Sequence, residues 1–169
     1  LGHSTSGTLS SATNNVGVGI TALDALTSGD DNVAGGRNAG SAIADGLKNV
    51  CVGRQAGMLI SSGESNIAIG YGAVDAVTSG NSNIGVGAYC LSAATGSGNT
   101  AVGQNSGNLI TGDKNVCLGY LSGDNITSGS GNVAIGKADV PSATGDDQLS
   151  ISDGEDGAVV WMTGDSDGT

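Results

Sequence analysis

The side chains that could make or break bonds are few in this sequence. Its one histidine, His3, stands near the start, far from any regular pattern. Three cysteines, Cys51, Cys90 and Cys117, show neither a C-x-x-C spacing nor the density of a disulfide scaffold. Carboxylates are the commonest reactive group, and seven of the sixteen (Asp146, Asp147, Asp153, Glu155, Asp156, Asp165 and Asp167) crowd residues 146–169. Alternating Asp and Gly on a turn can offer oxygen ligands to calcium. The spacing matches neither the EF-hand loop nor the glycine-aspartate nonapeptide of calcium-binding rolls, so a solvated acidic loop is the favoured reading. No metal site, catalytic set or cofactor is expected.

The elements that must position these residues are unusual. Of 169 residues, 32 are Gly, none is Phe, and the only aromatics are Tyr71, Tyr89, Tyr120 and Trp161. A core built without large rings must be thin. Five basic residues against sixteen acidic ones leave a net charge of −11, which argues against nucleic-acid partners, because a phosphate backbone is bound by Lys and Arg. No stretch approaches the ~20 apolar residues of a membrane-spanning helix, and no signal segment opens the sequence, so membrane insertion is not expected. The absence of Met at position 1 is what a fragment of a longer chain would show.

An internal repeat dictates the architecture. Asn15, Asn32, Asn49, Asn66, Asn83, Asn99, Asn115 and Asn132 recur at intervals of 16 or 17 residues. Four places after each comes a glycine: Gly19, Gly36, Gly53, Gly70, Gly87, Gly103, Gly119 and Gly136. Between them β-branched residues flank a small one, as in Val50-Cys51-Val52 and Ile67-Ala68-Ile69, the period-2 signature of a short strand. An apolar column (Leu26, Ile43, Ile60, Val77, Ala94, Ile110, Ile126) and a closing glycine complete each unit. One such unit cannot bury its apolar strip alone, whereas stacked units bury a continuous core and pair every strand with the next. The expected fold is all-β: a parallel β-solenoid of about eight 16- to 17-residue coils over residues 14–145. The asparagines should form a hydrogen-bonded ladder, and the glycines should make corners of positive φ or close backbone approach. Residues 1–13 read as a linker or degenerate first coil, and 146–169 as an acidic β-hairpin cap or the start of another fibre segment.

The middle of each strand stays small: Gly17, Ala34, Cys51, Ala68, Gly85, Ala101, Cys117 and Ala134. By alternation it should point away from the face carrying Val and Ile, and a column kept small suggests a wall pressed against it. A second small column runs Ala22, Ala39, Ala56, Ala73, Cys90, Ser106, Ser122 and Asp139. All three cysteines fall in these columns and read as small buried residues. Ala34, Cys51, Ala68, Gly85, Ala101, Cys117 and Ala134 are therefore expected to pack between chains of a parallel homotrimer. A monomeric solenoid that packs this face internally is the alternative.

The wording of the repeat, N-I-A-I-G-Y-G-A-V from Asn66 and T-S-G-N-S-N-I-G-V-G from Thr78, resembles the shaft repeats of bacteriophage tail fibres and tailspikes, over roughly residues 14–145. It is similar, more distantly, to the head repeats of trimeric autotransporter adhesins. The resemblance implies a rigid extracellular or virion-surface fibre that carries or contributes to host attachment, with a host cell-surface glycan or protein as partner. Such shafts often precede an intramolecular chaperone domain, and none is visible here. In the fibre family an L-x-I…W-x-x-G segment tends to follow the repeats, so Trp161 looks like a cap on the open end of the solenoid.

Two other function classes compete. The hydroxyl column Thr27, Ser61, Thr78, Thr95, Thr111, Thr127 and Thr144 invites an ice-binding reading, but Ala44 interrupts it and corner hydrogen bonding to backbone accounts for it. Left-handed β-helix acyltransferases have a similar coil length, but they need a histidine in a coil. Tyr71, Tyr89 and Tyr120, one or two places after the strand-ending glycine, are the candidates for receptor contact.

Overall fold

The computed structural model describes residues 11–153 and 160–165. Within them the chain is all-β. Eight three-residue strands mark eight coils: β1 (Val16–Val18), β2 (Val33–Gly35), β3 (Val50–Val52), β4 (Ile67–Ile69), β5 (Ile84–Val86), β6 (Thr100–Val102), β7 (Val116–Leu118) and β8 (Val133–Ile135). Two more strands follow, β9 (Leu149–Ser152) and β10 (Val160–Gly164), and all ten form one sheet in sequence order. Neighbours from β1 to β9 pair in parallel, with each small residue opposite the next, as Ala68 is opposite Gly85. This is a β-solenoid that rises about 40 Å at the strand spacing of ~4.8 Å.

Corners are closed by backbone that few side chains tolerate. Gly53 has φ +132°, and a Cβ there would sit 2.5 Å from the Gly70 carbonyl oxygen one coil on. The same contact recurs up the column, which explains its uniformity. The residue before each buried asparagine is also left-handed, and here glycine is rarely used: Asp31, Lys48, Ser65, Ser82 and Lys114 have φ near +58°. Such a conformation costs on the order of 1 kcal/mol for a non-glycine residue. Stacking offsets it, because the Lys48 N–H donates to the Asp30 carbonyl (3.0 Å) and the Ser65 N–H to the Leu47 carbonyl (2.9 Å).

Which strand face points inward differs from the sequence expectation. Asn32, Asn49, Asn66, Asn83, Asn99, Asn115 and Asn132 are fully buried. Counting in twos from them, the middle residue of the strand turns inward and its β-branched flanks turn out. Ala34, Cys51, Ala68, Gly85, Ala101, Cys117 and Ala134 are accordingly buried within their own chain, so the packing assigned there to neighbouring chains is intramolecular. The wall that keeps them small is the far side of their own coil and of the coil before it. A Cβ on Gly85 would lie 2.5 Å from Val74 Cγ2 and 2.9 Å from Cys90 Sγ, and one on Gly123 would lie 2.5 Å from Cys117 Sγ. Ala22, Ala39, Ala56, Ala73, Cys90, Ser106 and Ser122 line the same interior with Leu26, Ile43, Ile60, Val77, Ala94, Ile110 and Ile126. Asp139 leaves this column: it is exposed, and Ala138 takes the buried place.

The stack runs past residue 145. β9 adds a ninth parallel rung on β8, and β10 pairs antiparallel with β9, with an irregularity between Val160 and Met162. Trp161 does not cover the end of the core, being 71% exposed on β10. Residues 154–157 of the acidic segment and residues 1–10, including His3, lie outside the described residues.

Candidate functional site

The asparagine ladder is the chain's spine. Each buried asparagine makes three kinds of bond. Asn66 donates its backbone N–H to Asn49 Oδ1 (2.9 Å), one Nδ2 hydrogen to the same oxygen (3.1 Å) and the other to the Gly80 carbonyl (2.9 Å). The pattern holds from Asn15–Asn32 to Asn115–Asn132, so every amide is satisfied in an interior where an orphaned one would cost about 1–3 kcal/mol. Gln148, not anticipated from the sequence, is the last rung among the described residues. Its N–H and Nε2 both reach Asn132 Oδ1 (2.9 and 3.0 Å), while Nε2 also meets the Ser142 and Gly145 carbonyls (each 2.8 Å).

A second, exposed ladder runs alongside, two residues before the buried asparagines. There a side chain accepts the backbone N–H of the preceding coil: Asn81 Oδ1 from Glu64, Ser97 Oγ from Asn81, Asp113 Oδ1 from Ser97, Ser130 Oγ from Asp113 and Asp146 Oδ1 from Ser130, at 2.7–3.1 Å. Its residue types vary among Asn, Ser and Asp, which share only a short acceptor, so identity-based reading of the repeat overlooks it.

The feature that stands out on the surface is the outward sheet face. Val18 is 54% exposed, Val52 42%, Ile69 39% and Val102 41%, and Val16, Val33, Ile84 and Leu118 are exposed beside them. Apolar residues scattered singly on a surface are ordinary, whereas these lie on one face of successive coils.

The three tyrosines are exposed, near one corner column. Tyr71 and Tyr89 meet edge to face with centroids 4.9 Å apart, and the Arg54 guanidinium lies 5.4 Å over the Tyr71 ring. Tyr120 stands two coils further on. In the hydroxyl column Thr27, Ser61, Thr111 and Thr127 donate to a backbone carbonyl of the next coil, as Thr111 Oγ1 does to Thr127 (3.3 Å) and Thr127 Oγ1 to Ala143 (3.0 Å).

Burial pushes the Cys51, Cys90 and Cys117 thiols up to about 12, which leaves them protonated and poorly nucleophilic at neutral pH. Asp124 is raised from 3.8 to about 6, first by burial and then by a hydrogen bond and repulsion from Asp139, against an opposing pull from Lys137. Among the described residues, no group of three or more His, Cys, Asp or Glu is placed to hold a metal ion. No helix there is long and apolar enough to cross a membrane. The chain matches no protein-family model, no curated protein and no solved structure.

Proposed function

We propose that this chain is a self-associating structural rod, a shaft or adhesive segment of an extracellular or virion-surface fibre in which copies pack side by side as a parallel homotrimer. The observation that carries the reading is the apolar outward face, which is exposed on the coils from β1 to β7, continues half-buried on β8, and is left uncovered by the described residues. It replaces the inward small column as the contact between chains. Stiffness comes from stacking, since each coil is stabilised by its two neighbours. The resemblance of the repeat to tail-fibre and tailspike shafts supports a role in host attachment, with Tyr71, Tyr89 and Tyr120 as the candidates to touch a cell-surface glycan or protein.

Sedimentation equilibrium tests the association. The wild-type chain is expected to sediment as three copies. Ile69→Lys with Val102→Lys should give a folded monomer with an unchanged circular dichroism spectrum. A wild-type chain that stays monomeric at high concentration would remove the proposal.

A further inference from the structure

The apolar face is rimmed by charge of opposite sign on its two edges. The edge before the strands carries Asp30, Asp31, Glu64, Asp113, Asp146 and Asp147, at one or two places ahead of a buried asparagine or of Gln148. Lys48 and Lys114 share that edge and are outnumbered six to two. The position one place past the corner glycine, after strands β1 to β8, is held by Arg37, Arg54 and Lys137 among its charged residues and by no carboxylate, with Asp124 and Asp139 set further round the coil near Lys137. Arg37 and Arg54 are exposed, as are Asp31, Glu64, Asp113, Asp146 and Asp147.

The strand face is about 10 Å wide and 40 Å long, or roughly 400 Å² in footprint. A stable interface takes about 800 Å² from each partner, so the charged edges must be part of any lasting contact. Their sign then decides the orientation. When two copies face each other in parallel, related by rotation about the rod axis, the basic edge of one lies on the acidic edge of the other. Turn one copy end for end and basic meets basic, acidic meets acidic. Heights agree as well. Asp31 and Arg37 flank the same strand, β2; Arg54 flanks β3 and Glu64 flanks β4; Lys137 flanks β8 and Asp146 precedes β9. Each pair is thus within about one strand spacing, ~5 Å, in an unshifted parallel register.

We infer that these two edges form a charge-complementary seam between copies of this chain, which selects parallel, in-register association and rejects the antiparallel one. The inference rests on the proposed self-association and adds what orients it.

The test is a charge swap in the full chain. Arg37→Glu with Arg54→Glu should weaken association about tenfold or more at low salt, and so should Asp31→Lys with Glu64→Lys. Position 31 accepts lysine, because Lys48 and Lys114 hold the same left-handed conformation one and five coils on. Combining all four substitutions exchanges the edges and should restore association to within about threefold of wild type. Circular dichroism and the melting temperature report whether each variant is folded. Wild-type association should also weaken between about 0.02 and 0.5 M salt. If the wild type associates but the two-residue variants match it, or if the folded four-residue swap stays weak, the seam is wrong while self-association stands. A wild type that does not associate overturns both.

Discussion

Asn66 Oδ1 accepts two hydrogen bonds from Asn83, one from its backbone N–H at 3.0 Å and one from its Nδ2 at 3.1 Å. Replacing Asn66 with Ala strands both donors and the Gly80 carbonyl in a dry interior. The expected loss is about 3 kcal/mol or more, at about 1–3 kcal/mol for each unsatisfied buried group. Urea unfolding followed by circular dichroism measures it, and a loss below about 1 kcal/mol would show that the coils are held by other means.

Interior packing makes a coupled prediction. Gly85→Ala drives a methyl into Val74 Cγ2 and Cys90 Sγ. It should destabilise by about 1–3 kcal/mol through overpacking. Val74→Ala clears the nearest contact, so the two substitutions together should cost at least about 0.5 kcal/mol less than the sum of each alone. Strict additivity would mean that the two residues do not meet. Ala68→Leu should be comparably damaging in the isolated chain, since that column is already filled from within.

Asp124 gives a pH dependence. Its folded value of about 6 lies above the ordinary 3.8, so between those limits the folded state binds more proton than the unfolded one. Stability therefore falls as pH rises from about 4 to about 6. Partial solvent exposure limits the effect to less than about 1 kcal/mol. Asp124→Asn should flatten the profile in this window and raise the melting temperature at neutral pH. An unchanged slope would assign the pH response elsewhere.

Thiol chemistry reads out the tightness of the core. With all three sulfhydryls buried and raised to about 12, the native chain should resist a thiol-specific reagent at pH 8. In denaturant all three should react promptly. Fast labelling of Cys90 alone in buffer would show local opening at the fifth coil.

Much of the fold was legible because stacking repeats its demands. Asn32 and Asn49, Gly36 and Gly53, and the three residues between them solve the same problem in successive coils, so their types recur. The direction in which the strand faces was not legible in the same way. Val52 and Ile69 look like core residues by hydropathy, and only the burial of the neighbouring asparagine, a polar residue, reverses the parity and sends Cys51 and Ala68 inward. Lys48 and Ser65 hide a left-handed corner because backbone bonds to the coil beneath determine it and their side chains do not. Gln148 escaped the pattern because its amide does an asparagine's work from one methylene further out.

That extra methylene makes Gln148 a terminator. Asn15 to Asn132 each pass an oxygen forward to the next coil, like links that leave a hook open for another. Gln148 takes the hook from Asn132 and turns back on itself, its Oε1 held by the Ser142 N–H at 2.7 Å and its Nε2 on carbonyls of its own corner. Length and ending are thus written in separate residues. A copy of any 17-residue unit spliced in ahead of Asn132 would lengthen the rod by one strand spacing, about 4.8 Å, and leave the amide ladder closing on Gln148 as before. Reach becomes a quantity that duplication or loss of whole units can adjust, with no change to the way the ladder closes.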